Sequence, residues 1–294
     1  MYKYCYRRSG GTERILPLGV GLQDVNPILV AIVLGLLQGI LEWIPVSSEG
    51  GVAIASTVLT GVDPDAATRL ALFLHAGTAV AAVGYYRGEI RELIGDARSL
   101  SRRPFADETA DLSFLVLATA ATGATGLPAY MVLDAAVSGL EGGLFLALIG
   151  GLLVLTGLLQ RFAVVMSLGE RDRPDWLDAL LVGGLQGLAI LPGVSRSGTT
   201  VSALLLRGHE GESSLRLSFL LSIPASLAAN GLVLVTDGVP AIEPTSAVVA
   251  LAVSAVVGYL TVDALVRLVR RVPFWTVCVL FGGLGLVGGL LVAL

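Results

Sequence analysis

Two short segments of this sequence combine proline or glycine with side chains that can do chemistry. The first covers residues 35–50 and the second residues 183–198, and both lie inside strongly apolar surroundings. The side chains of interest, in and just after these segments, are Glu42, Ser47, Ser48, Glu49, Ser195, Arg196, Ser197, Thr199 and Thr200. An arginine and broken helical turns at membrane depth must be satisfied by protein or water, because lipid offers no hydrogen-bonding partner. The two segments therefore predict a functional site inside the protein.

An arginine between serines, close to helix N-termini, is an arrangement that binds phosphate. The free backbone N–H groups at residues 47–51 and 195–199 form the positive ends of two helices and would point at an anion. Arg196 would add a forked donor. A carboxylate such as Glu42 would either bind a divalent cation through oxygen or accept a proton from a hydroxyl nucleophile. The residues thus predict an anion site that contains an acid, and this reasoning does not choose among the serines.

The two segments are related by an internal duplication. Leu37-Gln38-Gly39 recurs 148 positions later as Leu185-Gln186-Gly187, and Arg69-Leu70 recurs at nearly the same shift as Arg216-Leu217. Paired broken segments in the two halves of a membrane protein indicate a binding site where the repeats meet. We expect repeats at about residues 25–162 and 177–294, which form one integral membrane domain after a polar tail at residues 1–24.

The composition indicates that the bilayer is the solvent of this chain. The mean hydropathy is +0.82, and 54% of the residues are hydrophobic while only 14% are charged. Soluble domains are seldom so apolar. The net charge of −4 lies in short loops and predicts no nucleic-acid partner. Cys5 and Cys278 form neither a disulfide framework nor a metal-binding pattern.

The apolar runs predict an all-α, polytopic protein of two inverted repeats, each with a re-entrant helical hairpin and three transmembrane helices. A span needs about 20 apolar residues, and the runs at 27–37 and 51–60 are too short, as are the halves of 177–206. The predicted spans are 69–86, 112–133, 143–160, 215–235, 246–266 and 274–294, with a charged loop at 87–111 and a polar connection at 161–176. Three crossings per repeat would bring the hairpins together from opposite faces.

Loop charges orient this topology. On the predicted plan, arginines gather in the loops of one side, whereas the loops at 134–142 and 236–245 contain no lysine or arginine. The positive-inside rule makes the arginine-rich side cytoplasmic. We therefore expect a multi-pass plasma-membrane protein whose N-terminal tail lies outside.

Two motifs lie at the centres of the paired segments. They are Glu42-Trp43-Ile44-Pro45-Val46-Ser47-Ser48-Glu49-Gly50 and Pro192-Gly193-Val194-Ser195-Arg196-Ser197-Gly198-Thr199-Thr200. Together they resemble the undecaprenyl-diphosphate phosphatase family, also known as bacitracin-resistance proteins, and the likeness runs from about residue 25 to the C-terminus. The resemblance implies a hydrolase that releases inorganic phosphate from a polyprenyl diphosphate and regenerates the monophosphate lipid carrier.

The resemblance also implies roles for individual residues. Ser48 takes the position of the candidate nucleophile, Glu42 that of a metal-binding or basic carboxylate, and Arg196 that of the phosphate clamp. The clamp includes Ser195 and Ser197, and the wider predicted substrate-binding set adds Ser47, Thr199 and Gln38. The implied cofactor is Mg²⁺ or Ca²⁺, and the implied partners are the polyprenyl diphosphate and membrane lipid. The oligomeric state stays open, with a homodimer as one arrangement.

This chain departs from the family pattern at two positions. Gln38 stands where the family usually has a second glutamate, and Gly51 stands where it usually has a histidine. Glu49 is either a catalytic replacement or a carboxylate open to water. His75 is either a second replacement or a buried histidine bonded to the backbone. An alternative function is a polyprenyl-phosphate transporter or flippase that binds phosphate without cleaving it.

Four further expectations concern packing. Gln38 and Gln186 hold equivalent repeat positions and would either bond across the two hairpins or contact substrate. Trp43 is expected to pack within the hairpin region, and His209 is expected to be solvated. The pairs Gly150-Gly151 and Gly282-Gly283 are expected to pack helices together.

Overall fold

The computed structural model describes residues 26–100, 103–137, 140, 142–166, 170–238, 240, 242–269 and 271–294. These residues form eleven α-helices and no β-strand: α1 Pro27–Leu41, α2 Ser48–Thr60, α3 Pro64–Tyr85, α4 Arg87–Leu100, α5 Ala110–Val137, α6 Gly142–Val165, α7 Trp176–Leu188, α8 Arg196–Leu206, α9 Gly211–Thr236, α10 Pro244–Val269 and α11 Phe274–Ala293. The expected N-terminal tail, including Cys5, falls outside the described residues. The all-α prediction is confirmed.

Six of the described helices are long and apolar enough to cross a membrane. They are α3, α5, α6, α9, α10 and α11, in agreement with the six predicted spans. By contrast, α1, α2, α7 and α8 have 15, 13, 13 and 11 residues. At about 1.5 Å per residue, none of these four reaches across a hydrocarbon core of about 30 Å. α1 with α2 and α7 with α8 therefore form the two short hairpins that the sequence predicts.

The expected loop at 87–111 is wrong in its first half, where α4 forms. Its sequence, RGEIRELIGDARSL, is rich in residues of good helix propensity. Ile90 and Leu93 pack onto the core, whereas Arg91 and Glu92 are exposed, which is the pattern of a surface helix. The expected polar connection also begins later than predicted, because α6 continues to Val165.

Each hairpin packs against a span of the other half. α1 lies beside α10, where a Cβ on Gly35 would sit only 2.6 Å from the Ala250 carbonyl oxygen. α7 lies beside α5 in the equivalent way, with Gly183 directly against the backbone of Ala118. Glycine permits these approaches because it has no side chain to separate the helices. The two halves are therefore interlocked.

The equivalent helices α6 and α11 run antiparallel. Gly143, at the start of α6, faces Gly289 near the end of α11, and Gly157, late in α6, faces Cys278 early in α11. Equivalent elements in opposite directions are what an inverted repeat produces. The arrangement is consistent with the predicted inversion.

A second pair of equivalent helices, α3 and α9, is joined by reciprocal ion pairs. Arg69 near the start of α3 pairs with Asp237 just after α9, at 2.6 Å. Arg216 near the start of α9 pairs with Glu89 just after α3, at 2.5 Å. Each arginine thus reaches an acid of the other half at the opposite end of the pair, which again requires antiparallel helices.

The expected glycine packing holds for one member of each pair. Gly150 and Gly282 face each other across the α6–α11 contact. A Cβ on Gly283 would meet nothing within 4 Å, and one on Gly151 would have a single contact, at 3.9 Å. Adjacent helical residues point about a quarter-turn or more apart, so only one of two neighbours can lie in the contact.

A buried cluster of charges ties the two ends of the second hairpin together. Asp178, on the first turn of α7, accepts hydrogen bonds from Arg207 at 2.5 Å and from His209 at 3.0 Å. The solvated position expected for His209 is wrong, since its side chain is fully buried. Burial raises the pKa of Asp178, but hydrogen bonds from His209, Arg207 and the Asp175 amide lower it, and the net pKa lies below the ordinary value.

Candidate active site

The tips of the two hairpins meet through their helix N-caps. Ser47 caps α2 by accepting a hydrogen bond from the Gly50 amide, and Ser195 caps α8 in the same way from the Gly198 amide. The Ser47 hydroxyl also accepts from the Gly193 amide of the second hairpin, at 3.1 Å. Both helix N-termini are thereby fixed at the junction, and their positive ends lie together.

The backbone at this junction adopts uncommon conformations. Ser47 has φ of 65°, in the left-handed region, and Gly193 has φ of +100°. A Cβ on Gly193 would collide with the backbone of Ile149, so glycine is required there for space as well as for φ. A left-handed serine is uncommon and is often found at functional sites.

Glu42 is the centre of the polar contacts. Its Oε1 atom accepts from Arg196 at 2.5 Å. Its Oε2 atom accepts from the Ser48 hydroxyl and from the Gln38 amide, each at 2.8 Å, and lies 3.3 Å from His75 Nε2. The side chains of Glu42 and Arg196 are only 3% and 13% exposed, so their ion pair is held largely away from water. The structure thus joins the acid of the first motif to the arginine of the second.

Arg196 keeps donors available beyond this ion pair. Its Nη1 atom makes only a long contact of 3.4 Å with the Ser218 carbonyl oxygen, and its Nε atom is buried without a partner. An unpaired donor at the floor of a cavity is costly unless a ligand satisfies it. These free N–H groups suit an anion.

His75 matches the second description expected from the sequence, and its role as a replacement stays a prediction. Its Nδ1 atom bonds to the Ala71 carbonyl oxygen at 2.8 Å, so it is a buried, backbone-bonded histidine. Because a carbonyl oxygen only accepts, Nδ1 carries the proton of that bond, and the other ring nitrogen faces Glu42. The ring therefore lies inside the site.

Glu49 lies on the first turn of α2 and is only 4% exposed. It is therefore not the freely solvated carboxylate of one expectation. Its Oε1 atom is buried without a hydrogen-bond partner, although the residue lines the same cavity as Glu42. The cavity is accordingly lined by a second carboxylate, one of whose oxygens has no hydrogen-bond partner.

A cavity of about 310 Å³ lies above these groups. Its polar floor brings together most of the predicted site residues, namely Glu42, Ser47, Ser48, Glu49, Ser195, Arg196 and Ser197, together with His75 and Gln186. Thr199, Thr200 and Gln38 are buried but do not line the cavity. Gln38 instead lies behind Glu42 and donates to it. The walls come mainly from α5 and α9.

The cavity walls contain polar residues that the sequence analysis did not single out. Thr119 and Thr122 line it from α5, and Ser226 lines it from α9. Gln186 donates to Thr122 at 3.0 Å, so neither predicted glutamine bonds across the two hairpins. Each hairpin helix packs against a different span, and that packing determines the glutamine's neighbour. The spacing of Thr119 and Thr122, three residues apart in an apolar span, was the sequence feature that could have indicated this polar wall.

Trp43 packs as expected. It is 1% exposed, lies edge-on to Phe219 with 5.2 Å between ring centroids, and donates from Nε1 to the Gly258 carbonyl oxygen at 3.0 Å. Its ring therefore supports the hairpin from behind and does not stack on a ligand in the Glu42 cavity.

Carboxylate and amide oxygens near Glu42 are of the type that binds a divalent cation. Buried oxygens of Gln38 and Glu49 have no partner, and hard oxygen ligands are those that Mg²⁺ and Ca²⁺ prefer. Among the residues that the structure describes, no group of three His, Cys, Asp or Glu side chains could hold a metal ion. One or two carboxylates completed by phosphate oxygens is a usual Mg²⁺ arrangement.

Comparison with known proteins agrees with this geometry. A family model described as bacitracin resistance protein BacA matches residues 31–287. The chain belongs to this family. It is 83% identical over 270 residues to the undecaprenyl-diphosphatase of Haloarcula marismortui, which covers 92% of this chain and 100% of the relative.

More distant members of the BacA family match over nearly the same length. The undecaprenyl-diphosphatase of Methanothrix thermoacetophila is 38% identical over 254 residues, or 86% of this chain and 94% of the relative. That of Saccharolobus solfataricus is 34% identical over 277 residues, or 91% and 97%. In this BacA-family protein, the acid and arginine motifs thus lie in a chain that its relatives match almost end to end.

Proposed function

We propose that this protein hydrolyses a polyprenyl diphosphate of the undecaprenyl type to the monophosphate and inorganic phosphate. The observation that carries the proposal is the contact of Ser48 and Arg196 with one buried carboxylate, Glu42, on the floor of a cavity between membrane helices. Relatives that match most of the chain are named undecaprenyl-diphosphatase.

Arg196 and the two helix N-termini would bind the diphosphate. Arg196 lines the cavity and has an unpartnered N–H group, and the capped ends of α2 and α8 meet beside it. Phosphoryl transfer is accelerated mainly by positioning and by stabilising the charge that spreads over the phosphoryl oxygens. Donors fixed in a largely water-excluded site are well suited to that task.

Ser48 is the proposed nucleophile and Glu42 the proposed base. Their 2.8 Å hydrogen bond lies within the range expected of a nucleophile and its base. Glu42 would take the hydroxyl proton as Ser48 Oγ bonds to the terminal phosphorus, and the bond from that phosphorus to the bridging oxygen would break. The lipid monophosphate leaves with the bonding electrons, and water then releases phosphate from the serine. Direct attack by a water held at Glu42 would give the same products without a phosphoserine.

Glu49 is proposed to assist proton movement in the same cavity. It stands on the first turn of α2, and its unpartnered oxygen is buried beside the residues above. His75 contributes a ring nitrogen beside Glu42. These two groups are the available replacements for the histidine that the family pattern places at position 51.

A Mg²⁺ or Ca²⁺ ion, when bound, would offset diphosphate charge. Glu42 would hold it, with the unpartnered oxygen of Glu49, which lines the same cavity, as a further ligand. We expect phosphate release to cease on chelation and to return when either ion is added, as measured with the purified protein.

The decisive experiment measures phosphate released from a long-chain polyprenyl diphosphate by purified protein. Arg196→Ala and Glu42→Gln should abolish release, whereas Arg161→Ala should retain it, because Arg161 lies over the Trp275 ring and not in the cavity. Release by none of the proteins, with several cations and chain lengths, would reject the hydrolase. An acid quench during turnover distinguishes the two routes. Phosphate found on Ser48, by radioactive label or by mass, would support the serine route over direct attack by water.

A transporter that binds phosphate without cleaving it is not favoured, since the matching relatives are named as diphosphatases. The six apolar spans make this a multi-pass membrane protein. Its location in the plasma membrane, with the tail outside, and its assembly as a homodimer stay predictions.

A further inference from the structure

The cavity above Glu42 has two chemically different parts. Its floor holds buried charged groups, whereas its walls hold small and apolar residues of α5 and α9. Gly123 and Leu127 of α5 and Ala228 of α9 line the cavity and are exposed, so they do not lie under other helices. The wall therefore has a slot between α5 and α9 that connects the floor with the surroundings of the helices.

Gly123 keeps this slot open. A Cβ on Gly123 would meet nothing within 4 Å, although the residue lines the cavity. One turn further along α5, Gly126 behaves differently, because its Cβ would meet the backbone of Gly187 at 3.4 Å. Helix packing therefore explains the glycine at 126 but not the one at 123. Gly123 lacks a packing neighbour because it borders empty space.

The floor supplies an independent indication of a ligand. Three residues that line the cavity each have a buried polar atom without a partner, namely Glu49 (Oε1), Gln186 (Oε1) and Arg196 (Nε). Glu49 and Gln186 are 4% and 3% exposed, so water at the surface does not satisfy them. Unsatisfied buried groups in one cavity indicate that something polar belongs there. A ligand with a polar head and an apolar tail would satisfy the floor and fill the slot.

The size of the cavity requires the tail to leave it. At about 310 Å³, the cavity is at the lower end of the roughly 300–1,000 Å³ that small-molecule sites occupy. It has room for a diphosphate and the first isoprene units, but a long polyprenyl chain must continue outside. The favourable place for that chain is the hydrocarbon of the bilayer. A side opening suits this substrate better than a route along the protein axis.

We propose that the prenyl chain passes through the slot between α5 and α9, and that Gly123 makes the enzyme competent for long chains. This inference rests on the proposed diphosphatase function, since it concerns the same substrate. Gly123 is a specificity-determining residue here. It contacts the tail beyond the reacting phosphate, and a side chain at this position would obstruct long chains while leaving the head's site intact.

The test compares Gly123→Leu with a matched control, Gly283→Leu. Gly283 lies on α11, where a Cβ would also meet nothing within 4 Å, but it does not line the cavity. Each protein receives a long-chain polyprenyl diphosphate and, separately, dimethylallyl diphosphate, whose single isoprene unit needs no slot. Thermal unfolding in detergent checks that the variants are folded. Ala228→Leu, on the facing wall, provides a second obstruction of the same slot.

We expect Gly123→Leu and Ala228→Leu to lower kcat/KM for the long chain by roughly tenfold or more, the scale of steric discrimination in an apolar pocket. The short substrate should keep its parental kcat/KM, and Gly283→Leu should change neither. If the parent protein hydrolyses both substrates but folded slot variants match Gly283→Leu on the long chain, the slot is not the route. Equal losses on both substrates would also overturn the inference, because the head's site would then be affected. If the parent hydrolyses neither substrate, the proposed function fails first.

Discussion

The two hairpins share a backbone plan but differ in what holds their ends together. In the second hairpin, Asp178 of α7 binds Arg207 and His209 beyond α8 through buried charge. The residues at the same repeat positions in the first hairpin are Val30, Leu59 and Gly61. Val30 is a core member of one hydrophobic cluster and Leu59 packs against that cluster, so the first hairpin has apolar packing where the second has an ion pair.

The difference between the hairpins extends to their tips. The first contributes the acids Glu42 and Glu49, and the second contributes Arg196. Both retain the serine that caps the helix after the break. Duplication therefore preserved the backbone features that bring two helix N-termini together, while the charged side chains diverged. A phosphate site needs that divergence, because two arginines would lack a base and two glutamates would repel the substrate.

The largest expected effect is the loss of phosphate release when Arg196, the arginine of the second hairpin, is replaced. Arg196→Lys should lower phosphate release by about 10²–10³-fold, the usual cost of removing one transition-state donor, because lysine cannot provide the planar fork that reaches both Glu42 and the cavity. Steady-state kinetics measure the loss. Arg161→Lys, outside the cavity, serves as the control. If Arg196→Lys keeps activity within twofold of the parent, Arg196 is not the phosphate clamp.

The next effect compares the buried cluster of charges in the second hairpin with the apolar packing at the same positions of the first. Asp178→Asn should lower the free energy of unfolding by about 3 kcal/mol or more, because Arg207 and His209 lose a buried charged partner. Val30→Ala, at the equivalent position, should cost roughly 2 kcal/mol or less for its lost methyl groups. Denaturant unfolding in detergent micelles gives both values.

The pH dependence of unfolding gives a second test of the Asp178 contribution. Because the folded pKa of Asp178 is lowered, its contribution is present above about pH 3.9, the ordinary aspartate value, and is lost only as the pH falls further towards the folded pKa. The part of the difference between the parent and Asp178→Asn that comes from the aspartate charge should therefore disappear only as the pH falls below about 3.9. If Asp178→Asn loses no more free energy of unfolding than Val30→Ala, the charged cluster does not hold the hairpin together.

Smaller losses should follow at the glycines by which the hairpins pack. Gly35→Ala and Gly183→Ala each place a methyl group against the backbone of a neighbouring helix, and overpacking usually costs about 1–3 kcal/mol. Gly283→Ala, which meets open space, should be nearly neutral. Unequal losses for Gly35 and Gly183 in the same unfolding measurement would contradict the symmetry of the two contacts.

The smallest effect should distinguish the two caps. Ser195→Ala removes one capping bond and should cost about 1 kcal/mol. Ser47→Ala should cost more, because its hydroxyl accepts from both Gly50 and Gly193 and so joins the two hairpins. A thermal-shift comparison in detergent ranks the two variants. Equal shifts would mean that the bond between the hairpins adds no stability.

The sequence by itself determined the membrane class, the six spans, the two hairpins and the pairing of the acid and arginine motifs. Length and apolar composition decide whether a helix can cross a bilayer, and these are local properties. The duplication with one glutamate and one arginine at its centres then predicted where the halves meet. Ser47, Ser48, Glu42 and Arg196 could be identified without coordinates for this reason.

Tertiary structure alone decided which partners those residues have. The bond from Gln186 to Thr122, the burial of His209 and the open side of Gly123 were not predicted, and the sequence left open whether His75 lies in the site. In a soluble helix, the apolar face marks the side that packs. In a membrane helix both lipid and protein neighbours are apolar, so the sequence pattern does not distinguish the inward face. The approach of particular helices, set by glycines far apart in the chain, supplied that information.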